Sequence, residues 1–175
     1  TAFLCMGCFI SLYNYIGFRL LLEPHSLSQS VISLIFLIYF LGSLSSAMMG
    51  RLIQRFGRRF VVRATIAAMA CGILLTLSQS LISIITGIAL FTCGFFGIHS
   101  IASGWVSRRA TSYRAQASSL YLFSYYLGSS ISGTLGGYFW GSYAWSGVAA
   151  MICLLLLAAF GCTEQLSRRY TGHAA

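Results

Sequence analysis

Six long apolar stretches, separated by short polar breaks, fill almost the whole of this 175-residue chain. No other feature constrains the fold as much. A backbone surrounded by hydrocarbon must satisfy every N–H and C=O within itself, which leaves only helices and closed barrels. The stretches are each near the length of about 20 residues that an α-helix needs to cross a bilayer. They lack the two-residue alternation of barrel strands. We therefore expect an all-α membrane protein with six transmembrane helices, over residues 2–22, 31–53, 60–77, 81–106, 117–138 and 144–161, then a cytoplasmic tail over 162–175.

Composition removes the soluble alternative. Charged residues make up 7% of the chain and hydrophobic ones 58%, whereas a soluble domain carries about 25% charged residues. The formal net charge is +9, from eleven arginines without a lysine against Glu23 and Glu164. A basic balance can signal nucleic-acid binding. Here Arg51, Arg55, Arg58, Arg59, Arg108, Arg109, Arg114, Arg168 and Arg169 gather after the second and fourth stretches and in the tail. The alternate breaks hold no basic residue beyond His25. That is the positive-inside pattern, so no nucleic-acid partner is expected and both termini are expected in the cytoplasm. Tyr138, Trp140, Tyr143 and Trp145 crowd the opposite end, as an interfacial aromatic belt does.

The cysteines offer little chemistry. Cys5 and Cys8 form a CxxC inside an apolar stretch, without the polar outer shell that orients metal ligands. They read as small packing residues, and no metal or cofactor is expected. His25, His99 and His173 fall in an outer loop, a span and the tail, and do not easily converge on one metal. The chain also lacks Asp, a Walker loop and HExxH, so an enzyme is not expected. It opens at Thr1 inside an apolar stretch, as a piece of a longer protein would.

The stretches differ in kind. The second and fifth carry small residues at helical spacing, Gly42, Ser46 and Gly50, then Ser129, Gly133 and Gly137. Such ridges let helices approach closely. The third and sixth are more uniformly apolar, as lipid-facing helices are, and the first and fourth carry the polar side chains. Asn14, between Tyr13 and Tyr15, needs a partner in hydrocarbon and is either a ligand contact or helix–helix glue. His99, with Ser103 one turn on, is either a proton relay or a packed histidine. Tyr121, Tyr125 and Tyr126 suit a cavity wall or a helix seam. Arg19 and Glu23 are spaced for an interfacial ion pair.

The loop after the second stretch reads Gly50-Arg51-Leu52-Ile53-Gln54-Arg55-Phe56-Gly57-Arg58-Arg59. It resembles the G-x-x-x-D-R-x-G-R-R signature loop of the major facilitator superfamily. Gly50, Arg55, Gly57, Arg58 and Arg59 match, and Gln54 stands at the acidic position. That departure resembles the weaker second copy of the loop. The runs 13–20, 99–105 and 116–130 are similar to the C-terminal half of the YnfM-type bacterial inner-membrane transport proteins of that superfamily. The resemblance implies two inverted three-helix repeats forming the last six of twelve helices, in the inner membrane. It implies alternating access around a midplane site, with the missing N-terminal half as partner and a small molecule exported. The first and fourth helices would line the cavity, the second and fifth would meet the other half, and the signature loop would set the inward–outward balance. Tyr13, Asn14, His99, Ser103 and Tyr125 are then the candidate substrate contacts. No Asp or Glu lies inside a span, so proton coupling would use His99 or a group in the other half. A structural or regulatory membrane fragment and a homo-oligomeric carrier remain as alternatives.

Overall fold

The computed structural model describes residues 1–110 and 112–171, and the side chains of these except 167–171. His173 therefore lies outside the described residues, as do the side chains of Arg168 and Arg169. Among the described residues the regular structure is helical throughout. Helix α1 spans Ala2–Leu21, and α2 is the short Gln29–Ser33. A 3-10 stretch, Leu34–Leu37, joins α2 to α3, Ile38–Phe56. Then come α4 (Arg58–Leu75), α5 (Leu81–Arg109) and α6 (Arg114–Thr171). Four stretches, Ala2–Leu21, Gln29–Phe56, Leu81–Arg109 and Arg114–Leu166, are long and apolar enough to cross a membrane.

The punctuation is local. Ser28 caps α2 by accepting a hydrogen bond from the Val31 N–H. Gly57 separates α3 from α4 alone, with φ 79° and ψ 150°, a conformation that a side chain all but forbids. The long α6 is broken at Ala144 (φ 49°, ψ −143°). There the chain reverses. Before the break α6 runs parallel to α1, with Phe3 against Gly128 and Tyr15 against Gly136. After it α6 runs antiparallel, with Arg19 near Trp145 and Cys8 near Ile152.

Helices continue past the apolar stretches. The last stretch was expected to end at 161 with a tail from 162, but helix runs on to Thr171. Likewise α5 continues through Arg109, and α4 begins at Arg58 rather than 60. Helical hydrogen bonding does not stop where hydrocarbon stops, and Gln, Glu and Arg are good helix formers.

α1 and α5 form the middle of the bundle. Leu12, Ile16, Ile84, Ile88 and Phe91 are sealed there with Met69 and Ile73 of α4 and Val148 and Ile152 of α6. The sixth stretch, expected to face lipid, packs one side into the bundle and leaves the other exposed. Val148, Ile152, Leu156 and Ala159 are buried, while Leu154 and Leu157 are exposed. A helix that is apolar all round does not reveal which face is packed. Large apolar side chains are also exposed along α3 (Phe40, Leu44, Met48) and the first arm of α6 (Phe123, Leu127, Leu135).

The fold gathers Arg55, Arg58, Arg59, Arg63, Arg108, Arg109 and Arg114 at one end, where α3, α4, α5 and α6 start or stop. Arg19 lies at the other end. It does not pair with Glu23, as its spacing suggested. Its Nη2 donates to the Ser78 carbonyl at 2.6 Å, and its guanidinium lies 5.7 Å from the Trp145 ring. Ser78 precedes α5, and its turn carbonyl takes up the guanidinium donor that the i,i+4 spacing had offered to Glu23.

Candidate functional site

The middle of α1 places Phe9 and Tyr13 one turn apart, and the middle of α5 does the same with Phe95 and His99. Side chains four apart on a helix share a face. The two pairs meet across the helix contact, Phe9 stacking on Phe95 with ring centroids 4.0 Å apart. From there the rings run on in both directions. Phe9 touches Tyr13 at 4.8 Å, and Tyr13 touches Tyr39 of α3 at 4.9 Å. His99 lies 5.1 Å from Tyr125 of α6, which meets Tyr126 edge-on at 5.3 Å. The result is a continuous run of rings across α1, α3, α5 and α6, with Phe9 and Phe95 buried at its centre and Tyr13, Tyr39, His99 and Tyr125 half-buried around them.

Polar handles are set into it. The Tyr13 hydroxyl is 2.8 Å from Thr92 Oγ1. The Tyr121 hydroxyl is 2.9 Å from His99 Nδ1, so the hydroxyl and the ring tautomer are tied together. Three candidates, Tyr13, His99 and Tyr125, are therefore in one place. The other two are not part of it. Ser103 donates to the carbonyl of His99 at 2.8 Å, so its own helix takes up the hydroxyl. Asn14 is exposed and stands apart, beside Gly133 of α6. Sequence reading missed Phe9, Tyr39, Thr92 and Phe95. Their signal was present as aromatic residues at i, i+4, but spacing on one helix does not say which face meets another.

The small-residue ridges are partly displaced. On α3, Gly42 is buried against the Phe96 ring, and the Ser46 carbonyl accepts from Ser100 at 3.5 Å. Gly50 is exposed, with open space around it within this chain. On α6 the buried stripe is Gly128, Ser132 and Gly136, one residue before the expected Ser129, Gly133 and Gly137. Gly133 and Gly137 lie beside it and border Asn14 and Tyr15. Small residues occupy both registers, and the sequence alone does not choose between them.

In the signature loop, Gly57 is the hinge-like joint described above. Gln54 and Arg55 are exposed, and Arg55 lies over the Phe56 ring at 5.1 Å. Arg58 lies 5.1 Å from the Trp105 ring of α5, joining the loop to the end of that helix. Arg63, on the first turns of α4, binds Glu164 of α6 through two 2.7 Å hydrogen bonds. Among the described residues no cluster of three metal-ligating side chains is present.

Comparison with known proteins now decides the family. The major facilitator superfamily model matches residues 1–167. The chain belongs to the major facilitator superfamily. It is 50% identical over 167 residues to the inner membrane transport protein YnfM of Escherichia coli, covering 95% of this chain and 40% of that protein. It is 46% identical to the uncharacterized MFS-type transporter YybF of Bacillus subtilis, covering 95% of this chain and 41% of that one. An uncharacterized transporter of Buchnera aphidicola subsp. Schizaphis graminum is 44% identical over 157 residues, covering 90% of this chain and 38% of that protein. The chain thus spans about two fifths of the length of these superfamily relatives. No solved structure matches it. Membership of a transporter superfamily and the long apolar helices make this a membrane protein.

Proposed function

We propose that the chain is the C-terminal six-helix half of a secondary transporter that moves a small molecule by alternating access. The observation that carries this reading is the ring surface from Tyr13 through Phe9, Phe95 and His99 to Tyr125, at mid-height of α1 and α5. A transporter of this kind binds at the midplane, between its repeats. Rings with a few hydroxyls suit a flat or amphipathic organic substrate, held by stacking and oriented by one or two hydrogen bonds. In this reading α2 with α3 forms the second crossing, and the break at Ala144 divides α6 into the fifth and sixth. The exposed apolar faces of α3 and of the first arm of α6 are covered by the N-terminal half. The arginine-rich end, both termini included, lies in the cytoplasm of a bacterium, and the membrane is the inner one. Export is the direction that the family resemblance supports.

Proton coupling in this reading uses His99, the ionisable side chain set into the ring surface, or a group in the other half. The test is uptake into inside-out vesicles carrying the full-length protein, with a panel of radiolabelled aromatic and amphipathic compounds. Tyr125→Ala should slow the transported compound by roughly 2–10-fold, the worth of one aromatic contact. His99→Gln should abolish its dependence on an imposed pH gradient where His99 carries the coupling, and should leave it unchanged where a group in the other half does. A protein that moves nothing in the panel, or Tyr125→Ala at the parental rate, would reject the assignment of this surface.

A further inference from the structure

His99 is joined to the arginine-bearing end of the bundle through one hydroxyl. A chamber of about 470 Å³ lies there, between the start of α1, the first turns of α4, the end of α5 and both arms of α6. Arg58, Arg59, Thr163 and Glu164 line it beside apolar walls, so water finds polar partners in it. His99 borders a narrower space behind the chamber. That space is about 10 Å³, no larger than the roughly 10–15 Å³ that one water needs. A chain of waters cannot form in it. Tyr121 borders both spaces.

The Tyr121 hydroxyl is 2.9 Å from His99 Nδ1. In the neutral imidazole with its proton on Nε2, the hydroxyl donates to Nδ1. In the imidazolium, Nδ1–H donates and the hydroxyl oxygen accepts, which turns the hydroxyl's own proton away from the ring. The ring is held in place for this exchange, with the Phe95 centroid 5.9 Å and the Tyr125 centroid 5.1 Å away. The titratable groups around it are Tyr121 and Tyr125 of α6 and Cys5 of α1, which with Thr1 shares the narrow space. Tyr39 of α3 stands behind Phe9 and Phe95. Arg58 and Arg59 of α4 and Glu164 of α6 lie in the chamber, beyond Tyr121. Phenols and thiols are neutral near pH 7, so among the side chains of the narrow space His99 is the one that takes a proton.

We propose that Tyr121 is a relay residue that passes protons between the chamber and His99. A hydronium ion in the chamber gives a proton to the Tyr121 oxygen as the hydroxyl's own proton passes to Nδ1. Water is left in the chamber, the imidazole gains one proton and the tyrosine is unchanged. The reverse steps return the proton. His99 thereby exchanges protons with one end of the bundle while it stays packed among the rings. Chains of polar side chains carry protons inside membranes in this way. What the proton is used for rests on the proposed function; the route does not.

The test is nitrogen NMR of the full-length protein in detergent, carrying isotope-labelled histidine, with His99 assigned by the signals that His99→Gln removes. Across a pH titration, the line widths of the His99 nitrogens give its rate of proton exchange. Tyr121→Phe, which removes only the hydroxyl, should slow that exchange by about tenfold or more, against the roughly 10²–10⁴-fold that a positioned proton-transfer group contributes. Ala102→Leu, which narrows both spaces and keeps the hydroxyl, should slow it too. Tyr138→Phe, exposed near the Ala144 break, should leave it unchanged. Each variant is scored once its melting temperature shows a folded protein; where one is unfolded, Tyr121→Leu or Ala102→Val takes its place with the same expected direction. Parental exchange in the Tyr121 or the Ala102 variant would overturn the relay, whether or not the protein transports. Slowed exchange in a protein that moves no compound of the panel would keep the relay and remove the carrier reading.

Discussion

At the scale of single residues, the polar side chains divide by what takes up their hydrogen bonds. Ser103 bonds to carbonyls of its own helix, those of His99 and Ser100 at 2.8 and 3.3 Å, and so presents little to anything else. Tyr13 and Tyr121 reach across helices instead, to Thr92 and His99. Those cross-helix bonds fix the ring surface. Tyr13→Phe should therefore keep the ring contacts with Phe9 and Tyr39 and leave Thr92 without its partner. Interhelical bonds in membranes are worth about 0.6–2 kcal/mol, so the expected cost is about 1 kcal/mol. It would be read as a fall in the midpoint of unfolding in detergent, and a Tyr13→Phe protein as stable as the parent would show that Thr92 finds another partner. The sequence identified Tyr13, His99 and Tyr125 because polar or titratable groups stand out in an apolar helix. It did not identify Phe9 or Phe95, since an aromatic residue among many gives no sign of facing a site.

At the scale of elements, close approach decides which glycines matter. α4 and α5 cross at Gly72 and Gly87, where a Cβ on either would lie 2.6 Å from the carbonyl oxygen of the other. Gly72→Leu should force the two helices apart and cost about 1–3 kcal/mol or more, the usual range for overpacking. Its effect should appear as reduced expression and a lowered melting temperature, while Gly141→Leu, in open space, should change neither. Gly57 matters for a different reason. No atom crowds it, but its φ of 79° with ψ of 150° suits glycine alone. Gly57→Ala should cost about 1–3 kcal/mol through backbone strain, again measured by thermal unfolding in detergent. The element pattern was readable where chemistry is sharp. Apolar length gave the helices, and Gly57 with its arginines gave the joint between α3 and α4. The packing register of α6 was not readable, because Gly128, Ser132 and Gly136 and their next neighbours are equally small. A buried stripe is a property of two surfaces, and one sequence segment carries only one of them.

At the scale of the whole molecule, the distribution of charge and the direction of the helices make one argument. A chain that reverses between α1 and α2, at Gly57, between α4 and α5, between α5 and α6 and at Ala144 gathers Arg51, Arg55, Arg58, Arg59, Arg63, Arg108, Arg109 and Arg114 at one end of the bundle and Arg19 at the other. Short loops rich in arginine stay on the cytoplasmic side, and each crossing needs about 20 residues. Under the proposed function these two rules give six crossings, with Gln29–Phe56 interrupted by a 3-10 stretch and Arg114–Thr171 one helix broken by a single residue. The prediction is an alternation that can be read position by position. Reporter fusions after Ser26, Ser78 and Gly141 should give active alkaline phosphatase and dark green fluorescent protein. Fusions after Gly57, Ala110 and Gln165 should give the reverse. A fusion at Gly141 that behaves like the one at Ala110 would mean that α6 does not turn back across the bilayer, and the Arg63–Glu164 pair would then have to form between separate sides of the membrane, which its 2.7 Å bonds forbid. The fusion at Gly141 therefore tests the reversal at Ala144 most directly, and with it the return of α6 to the arginine end that the Arg63–Glu164 ion pair requires.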